Sequence, residues 1–216
     1  MSRTSIPANL KLGFLGAGQL ARMSSLEAFR YGIQVAVFSD RAENEPVQFM
    51  TPHSTSGSFD SVEDMVSFAK GCDVVTLENE FISSEILKEV QEKSGTPIYP
   101  APDSFALIEN KLIEKQTFEK AGIPVTPYKL VENSEDLKAF GDEHGWPFLL
   151  KSSKGGYDGY GNETVKDLGD AQLAFKKLGG DKGRDIVAEA FVDFTKELAV
   201  QVARNETGIK VYPCCE

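Results

Sequence analysis

Cysteine, histidine and tryptophan are scarce in this chain, at three, two and one in 216 residues, and the scarcity excludes several kinds of protein. Cys72, Cys214 and Cys215 are too few to frame a disulfide-stapled fold. The adjacent pair Cys214-Cys215 would form a strained bridge, so both are expected as reduced packing residues. His53 and His144 have no spacing that suggests zinc, and no ligand set for a resident metal stands out. The metal chemistry left open is an oxygen-bound Mg2+ that arrives with a nucleotide. No apolar run approaches the ~20 residues of a membrane helix, and Met1 to Leu10 lack the cationic start and apolar centre of a signal peptide. A cytoplasmic protein without a membrane partner is expected. Positive charge is also in deficit: 23 Lys and Arg against 33 Asp and Glu leave a net charge of -10. No broad nucleic-acid surface fits that balance, so any anionic ligand must be held by local groups.

What is present is an ordinary globular composition, 41% hydrophobic and 26% charged, sufficient for one or two cores. Apolar runs at 11–16 and 33–38 flank a helical pattern over 19–31, with Leu20, Met23, Leu26, Ala28 and Phe29 at helical spacing. Helices over 61–70 and 83–93 alternate with strands over 73–77 and 97–99, which predicts an α/β domain with a mostly parallel sheet. Pro100-Ala101-Pro102 punctuates the chain and divides it into 1–100 and 101–216. Beyond it, Asp103 is placed to cap a helix, and 111–121 forms another that ends at Gly122-Ile123-Pro124. Strands are then predicted at 128–131, 148–151, 162–165, 185–190, 197–203 and 210–212, with helices only at 134–144 and 169–178, a strand-rich α+β region. The last strand-like run has nothing after it to cover it, so a piece of a longer chain is expected.

Two stretches carry chemistry. Lys151 leaves the buried run Phe148-Leu149-Leu150 and enters a loop with glycines at 155, 156, 159 and 161. A cation followed by a nearly bulk-free loop is suited to covering phosphates, because bare backbone N–H groups can approach an anion closely. The spacing is not that of a Walker A loop. The second stretch, Gly16-Ala17-Gly18-Gln19-Leu20-Ala21, lies between strand and helix and fits GxGxxA, with Asp40 at the end of the next strand. Such a turn serves a dinucleotide, another phosphate ligand, or only its own tight geometry. Glu78 follows a strand and lies at the carboxyl edge of the sheet, where it can meet a ligand or cap the next helix. Lys111 is a second cation. Glu189, with Ala190-Phe191-Val192 after it, can offer an adenine edge backbone groups and apolar contact, and Glu197 can accept ribose hydroxyls. Trp146-Pro147 marks a turn and a packing anchor.

In this order, Gly16-Ala17-Gly18-Gln19-Leu20-Ala21-Arg22-Met23, Val75-Thr76-Leu77-Glu78-Asn79-Glu80, Lys151 with Gly155-Gly156-Tyr157-Asp158-Gly159, Glu189 and Glu197 resemble the 5-(carboxyamino)imidazole ribonucleotide synthases. These are ATP-grasp ligases of purine biosynthesis. The resemblance runs from about Lys11 to Glu216 and implies a Rossmann-like domain without NAD, followed by an ATP-grasp domain that is incomplete here. It implies that Lys111 and Lys151 hold ATP phosphates and that Gly156, Tyr157, Asp158, Gly159, Tyr160 and Gly161 form the lid over them. Glu189, Ala190, Phe191 and Val192 would hold the adenine, Glu197 the ribose, and Glu216 would lie at the edge of the site. Gly18, Gln19, Leu20 and Glu78, with Tyr157 and Asp158, would meet aminoimidazole ribonucleotide. The implied reaction uses ATP and bicarbonate to carboxylate that ribonucleotide, with Mg2+ ligands beyond this chain; no catalytic side chain is assigned, and a homodimer is left open. Tyr160 stands where the family commonly has a basic residue, and Ala21 where it has glycine. The competing expectations are an NAD-dependent oxidoreductase, using Gly16 to Ala21 and Asp40, and a nucleotide-binding module without turnover.

Overall fold

The computed structural model describes residues 7, 9–41, 45–78, 80–155 and 161–216. It divides into two packed units, the described residues within 1–125 and 152–161, and those within 126–151 and 162–216.

In the first unit, β1 (Lys11–Leu15), α1 (Gln19–Arg30) and β2 (Gln34–Ser39) form the anticipated βαβ start. A three-residue strand, β3 (Ser54–Ser56), follows; it is polar and exposed and carried no apolar signal. Next come α2 (Val62–Ala69), β4 (Val74–Leu77), α3 (Ser84–Ser94) and β5 (Ile98–Tyr99). Ser61 caps α2 and Ser83 caps α3, each accepting a backbone N–H of the first turn, and Gly95 ends α3 in the left-handed conformation at φ 74°. The strands form one parallel sheet in the order β3-β2-β1-β4-β5. Both faces are covered. Phe14, Val35 and Val37 pack with Ala21 and Ala28 of α1 on one side. Leu15, Ala36 and Phe38 pack with Met65, Phe68, Leu87 and Val90 of α2 and α3 on the other. Burial on both faces is why these strands read as continuous apolar runs rather than alternating ones.

Two expectations are corrected here. The face of α1 that enters the core is the small one, Ala21, Ser25 and Ala28, while Leu20 and Met23 remain 58% and 57% exposed, and Leu26 and Phe29 are also exposed. The helix lies close to the sheet and leaves room only for small side chains. Asp103 does not cap a helix: it lies inside the first turn of α4 (Pro102–Phe105), whose cap position is Ala101. The next helix, α5 (Lys111–Lys120), is capped by Asn110, whose Oδ1 accepts the N–H groups of Leu112 and Ile113 at 2.9 and 3.3 Å.

The second unit contains β6 (Tyr128–Val131), α6 (Ser134–His144), β7 (Phe148–Ser152), β8 (Asn162–Val165), α7 (Leu168–Lys177) and β9 (Ile186–Ala190). These four strands form one sheet in the order β6-β9-β7-β8, with antiparallel pairing of β6 to β9 and of β7 to β8. Leu137 and Phe140 of α6, Ala171 and Phe175 of α7, and Phe148, Leu150 and Ile186 of the sheet make its core, with Trp146 packed at the margin. A single 3-10 turn, Gly180–Lys182, precedes β9.

After Ala190 every residue is exposed. The strand expected at 197–203 begins only at Val202: β10 (Val202–Asn205) pairs with β11 (Gly208–Val211) as an isolated hairpin. Upstream of it, the Ala199–Cys215 bridge gives the segment a second point of attachment. Cys214 and Cys215, expected in a packed environment, are exposed thiols, because no element of the described residues covers the strand they follow.

Candidate functional site

The sheet order places the ends of β1 and β4 side by side at the point where the chain reverses its direction of travel across the sheet, the position where open α/β sheets form a crevice. The glycine turn leaves β1 there and Glu78 follows β4 there. The two meet directly. Glu78 Oε2 accepts the Gly18 N–H at 2.7 Å, while Oε1 accepts those of Leu20 and Ala21 at 3.2 and 3.4 Å. The carboxylate therefore caps α1 across the sheet, and the cap of α3 that was open to Glu78 falls instead to Ser83. The close approach needs both glycines: a Cβ on Gly16 would stand 2.4 Å from Glu78 Oε2, and one on Gly18 would stand 2.4 Å from Oε1. Gly16 also holds φ at 120°, which disfavours any side chain. Gln19 is exposed in the first turn of α1, and Asp40 is exposed beyond β2. The backbone donors that a dinucleotide pyrophosphate would require at this turn are engaged by Glu78, which removes the geometric basis of the oxidoreductase expectation.

In the second unit the sheet brings together residues far apart in sequence. Lys151 Nζ lies 2.8 Å from Glu189 Oε2, with side-chain exposures of only 21% and 6%. Lys151 is paired in register with Asn162 on β8, and Glu189 with Tyr128 on β6. Tyr128, Glu189, Lys151 and Asn162 thus form a polar row across four strands, since residues opposite one another on antiparallel strands share a face. Asn162 Oδ1 is buried without a hydrogen-bond partner among the described residues. No motif singles out Asn162 or Tyr128; only the strand register places them beside Lys151 and Glu189.

The glycine loop begins where this row ends. Ser152 N–H donates to Gly161 O at 2.9 Å, closing the loop at its base, and Gly155 and Gly161 both hold positive φ. Its stem belongs to the first unit, where Lys111 N–H donates to Ser153 O at 2.8 Å. Lys154 Nζ lies 3.1 Å from Oε1 of Glu109, whose other oxygen accepts the Ser84 N–H at 2.8 Å. Lys111 thereby stands at the first turn of α5, beside the loop stem. Gly156, Tyr157, Asp158, Gly159 and Tyr160, the expected lid, lie outside the described residues.

The expected adenine segment is divided. Glu189 is buried, but Ala190 uses its own N–H on Pro127 O and its O on the Thr126 hydroxyl, and Phe191 and Val192 are half exposed. Glu197 is exposed, next to Lys196, whose Nζ reaches Glu216 Oε2 at 2.7 Å.

Residues 10–109 match the ribonucleotide synthetase preATP-grasp domain, and residues 116–216 match the ATP-grasp domain. The two halves of the chain are thus similar to a preATP-grasp and an ATP-grasp domain in turn. The chain is 39% identical over 210 residues to the phosphoribosylaminoimidazole carboxylase of Candida glabrata, covering 95% of itself and 36% of that protein. It is 30% identical over 217 residues to the N5-carboxyaminoimidazole ribonucleotide synthase of Staphylococcus aureus, covering 100% of itself and 56% of that protein. Its fold superposes with a TM-score of 0.82, at 33% identity, on N5-carboxyaminoimidazole synthase from Aspergillus clavatus, solved in complex with ADP and 5-aminoimidazole ribonucleotide, covering 96% of this chain and 53% of that one. The chain thus spans from about a third to just over half the length of these relatives.

Proposed function

We propose that this chain is the ATP- and ribonucleotide-facing portion of a carbon-nitrogen ligase. It would carboxylate 5-aminoimidazole ribonucleotide with bicarbonate to 5-(carboxyamino)imidazole ribonucleotide, releasing ADP and phosphate in purine biosynthesis. The observation that carries this reading is the Lys151–Glu189 pair: a shielded cation stands near the end of a buried strand whose sequence runs on into a glycine-rich stretch suited to phosphates. Similarity to a synthase solved with ADP and the ribonucleotide supports the same assignment.

On this reading 1–100 is the preATP-grasp domain and 101–216 the first part of the ATP-grasp domain. Lys151 and Lys111 neutralise phosphate charge, and Gly156, Tyr157, Asp158, Gly159, Tyr160 and Gly161 cover it. Glu189, Ala190, Phe191 and Val192 border the adenine, and Glu197 and Glu216 border the ribose and the site edge. Gly18, Gln19, Leu20 and Glu78 face the ribonucleotide with Tyr157 and Asp158. Phosphoryl transfer to bicarbonate asks for positioning and charge neutralisation more than for covalent participation by the protein. A closed loop would keep water from the acyl phosphate that results. Mg2+ would accompany ATP. Among the described residues no group of three or more His, Cys, Asp or Glu is placed to hold a metal ion. No helix of the described residues is long and apolar enough to cross a membrane, and a cytoplasmic setting is part of the proposal. Homodimerisation is a further part, for which the exposed apolar side of α1 offers a surface.

The test is ADP release with Mg-ATP and bicarbonate, with and without aminoimidazole ribonucleotide. Ribonucleotide-dependent release establishes the ligase. ATP binding without release assigns the chain a nucleotide-binding role alone, and absence of ATP binding overturns the reading.

A further inference from the structure

We infer that Glu78 is a specificity-determining residue that fills the anion position of the glycine turn and so excludes phosphate groups from it. The inference rests on the carboxylate and its fit. Three N–H groups at the start of α1, those of Gly18, Leu20 and Ala21, converge on the two oxygens of one side chain. Backbone donors at a helix start favour a negative charge, and in glycine-turn proteins that bind dinucleotides the charge is a ligand pyrophosphate. Here it is covalently part of the protein and arrives from the neighbouring strand. The backbone of that strand end is held as well: Glu78 N–H donates to Leu15 O at 3.0 Å, which continues the pairing of β4 with β1 and fixes the side chain's point of departure.

The glycines fit Glu78 rather than an outside ligand. The positions that a Cβ would take on Gly16 and Gly18 are both obstructed by the Glu78 side chain itself, at 2.4 Å in each case. Removing the carboxylate would free three donors and the space beside two glycines at once. A turn that reads as a phosphate motif in sequence is in this way reserved for groups that complement a carboxylate, namely hydroxyl, amine or amide donors. A phosphate on any ligand of this crevice must be held elsewhere. The inference stands apart from the proposed ligase activity, since it concerns what the turn refuses rather than what the protein turns over.

The experiment is titration of the protein with inorganic pyrophosphate, and separately with NADH, while following the backbone amide resonances of Gly18, Leu20 and Ala21. In the wild type these three are expected not to move at millimolar ligand. Glu78→Ala is expected to move all three and to bind pyrophosphate at this turn about tenfold or more tightly than the wild type. Glu78→Gln keeps the shape but offers a single acceptor oxygen, so it is expected to show a smaller gain at the same amides and to serve as the deciding variant if Glu78→Ala does not fold. Movement of the three amides in the wild type would overturn the inference, as would silence in a folded Glu78 variant. Loss or retention of ADP release changes neither outcome.

Discussion

At the scale of single residues, burial determines what Lys151 and Cys72 can do. Lys151 and Glu189 hold each other at 2.8 Å with little solvent access, so a truncation at either end has two consequences. Lys151→Ala is expected to weaken ATP binding by about 1–3 kcal/mol, the usual range for a charged hydrogen-bond partner. It is also expected to lower folding stability by about 1–3 kcal/mol, because the buried Glu189 carboxylate loses one of its partners. Adding Glu189→Gln should restore much of the stability but none of the ATP affinity, which separates the roles; calorimetry and denaturant titration read the two effects. Unchanged ATP affinity in a folded Lys151→Ala protein would remove this lysine from the site. Cys72 shows the opposite use of burial. Desolvation pushes its thiol up from 9.0 to about 11, with Lys11 acting downward and Asp73 upward. A group whose folded pKa is raised favours folding below its unfolded value and loses that contribution as pH rises through the folded one. Stability should therefore decline between pH 9 and about 11, and Cys72→Ala should flatten that decline in alkaline unfolding curves. The same burial should leave Cys72 slow toward thiol reagents at neutral pH while the exposed Cys214 and Cys215 react.

At the scale of elements, competing local terms decide the outcome, and two substitutions show which term prevails. Alanine is a better helix former than glycine by about 0.8–1 kcal/mol, yet a Cβ on Gly141 of α6 would fall 2.2 Å from the Trp146 ring. Gly141→Ala is therefore expected to destabilise by about 1–3 kcal/mol through overpacking; a higher melting temperature would contradict the assigned contact. Helix α5 has no fully buried residue, so its cap carries an unusual share of its order. Asn110→Ala should cost about 1 kcal/mol and, because Lys111 N–H holds Ser153 O, should also loosen the stem of the glycine loop, seen as faster exchange of the Lys111 amide. The same competition explains what could be read from sequence. Strands β1, β2, β4, β7 and β9 were legible because burial makes them apolar, and α2, α3, α6 and α7 because their buried positions follow helical spacing. The inward side of α1 was not, since its largest apolar residues face solvent and its contact residues include Ser25, whose hydroxyl is satisfied by Ala21 O at 2.6 Å. Strand β3 lacks apolar residues altogether. Glu78 was legible as a crevice residue from its place after β4, but its union with the glycine turn depends on the order of strands in the sheet, which no local pattern encodes. Asn162 depends likewise on register.

At the scale of the whole molecule, the two units differ in how their strands are covered. The five-stranded sheet has helices on both faces, and the four-stranded sheet has a core shared with α6 and α7. Strands β10 and β11 pair only with each other among the described residues, and Val202, Ile209 and Val211 are 57%, 65% and 59% exposed. A two-stranded ribbon without a buried face is at best marginally stable in water, whereas amides in a closed core open only with much larger free energy. Hydrogen exchange should therefore divide the second unit sharply: amides of β7 and β9 should be protected by orders of magnitude, while those of β10 and β11 exchange at nearly unprotected rates. Protection of the hairpin equal to that of β9 would mean that another surface covers it in solution. If that protection grew with protein concentration, the covering surface would be a second copy of this chain, because only a bimolecular contact follows mass action in that way.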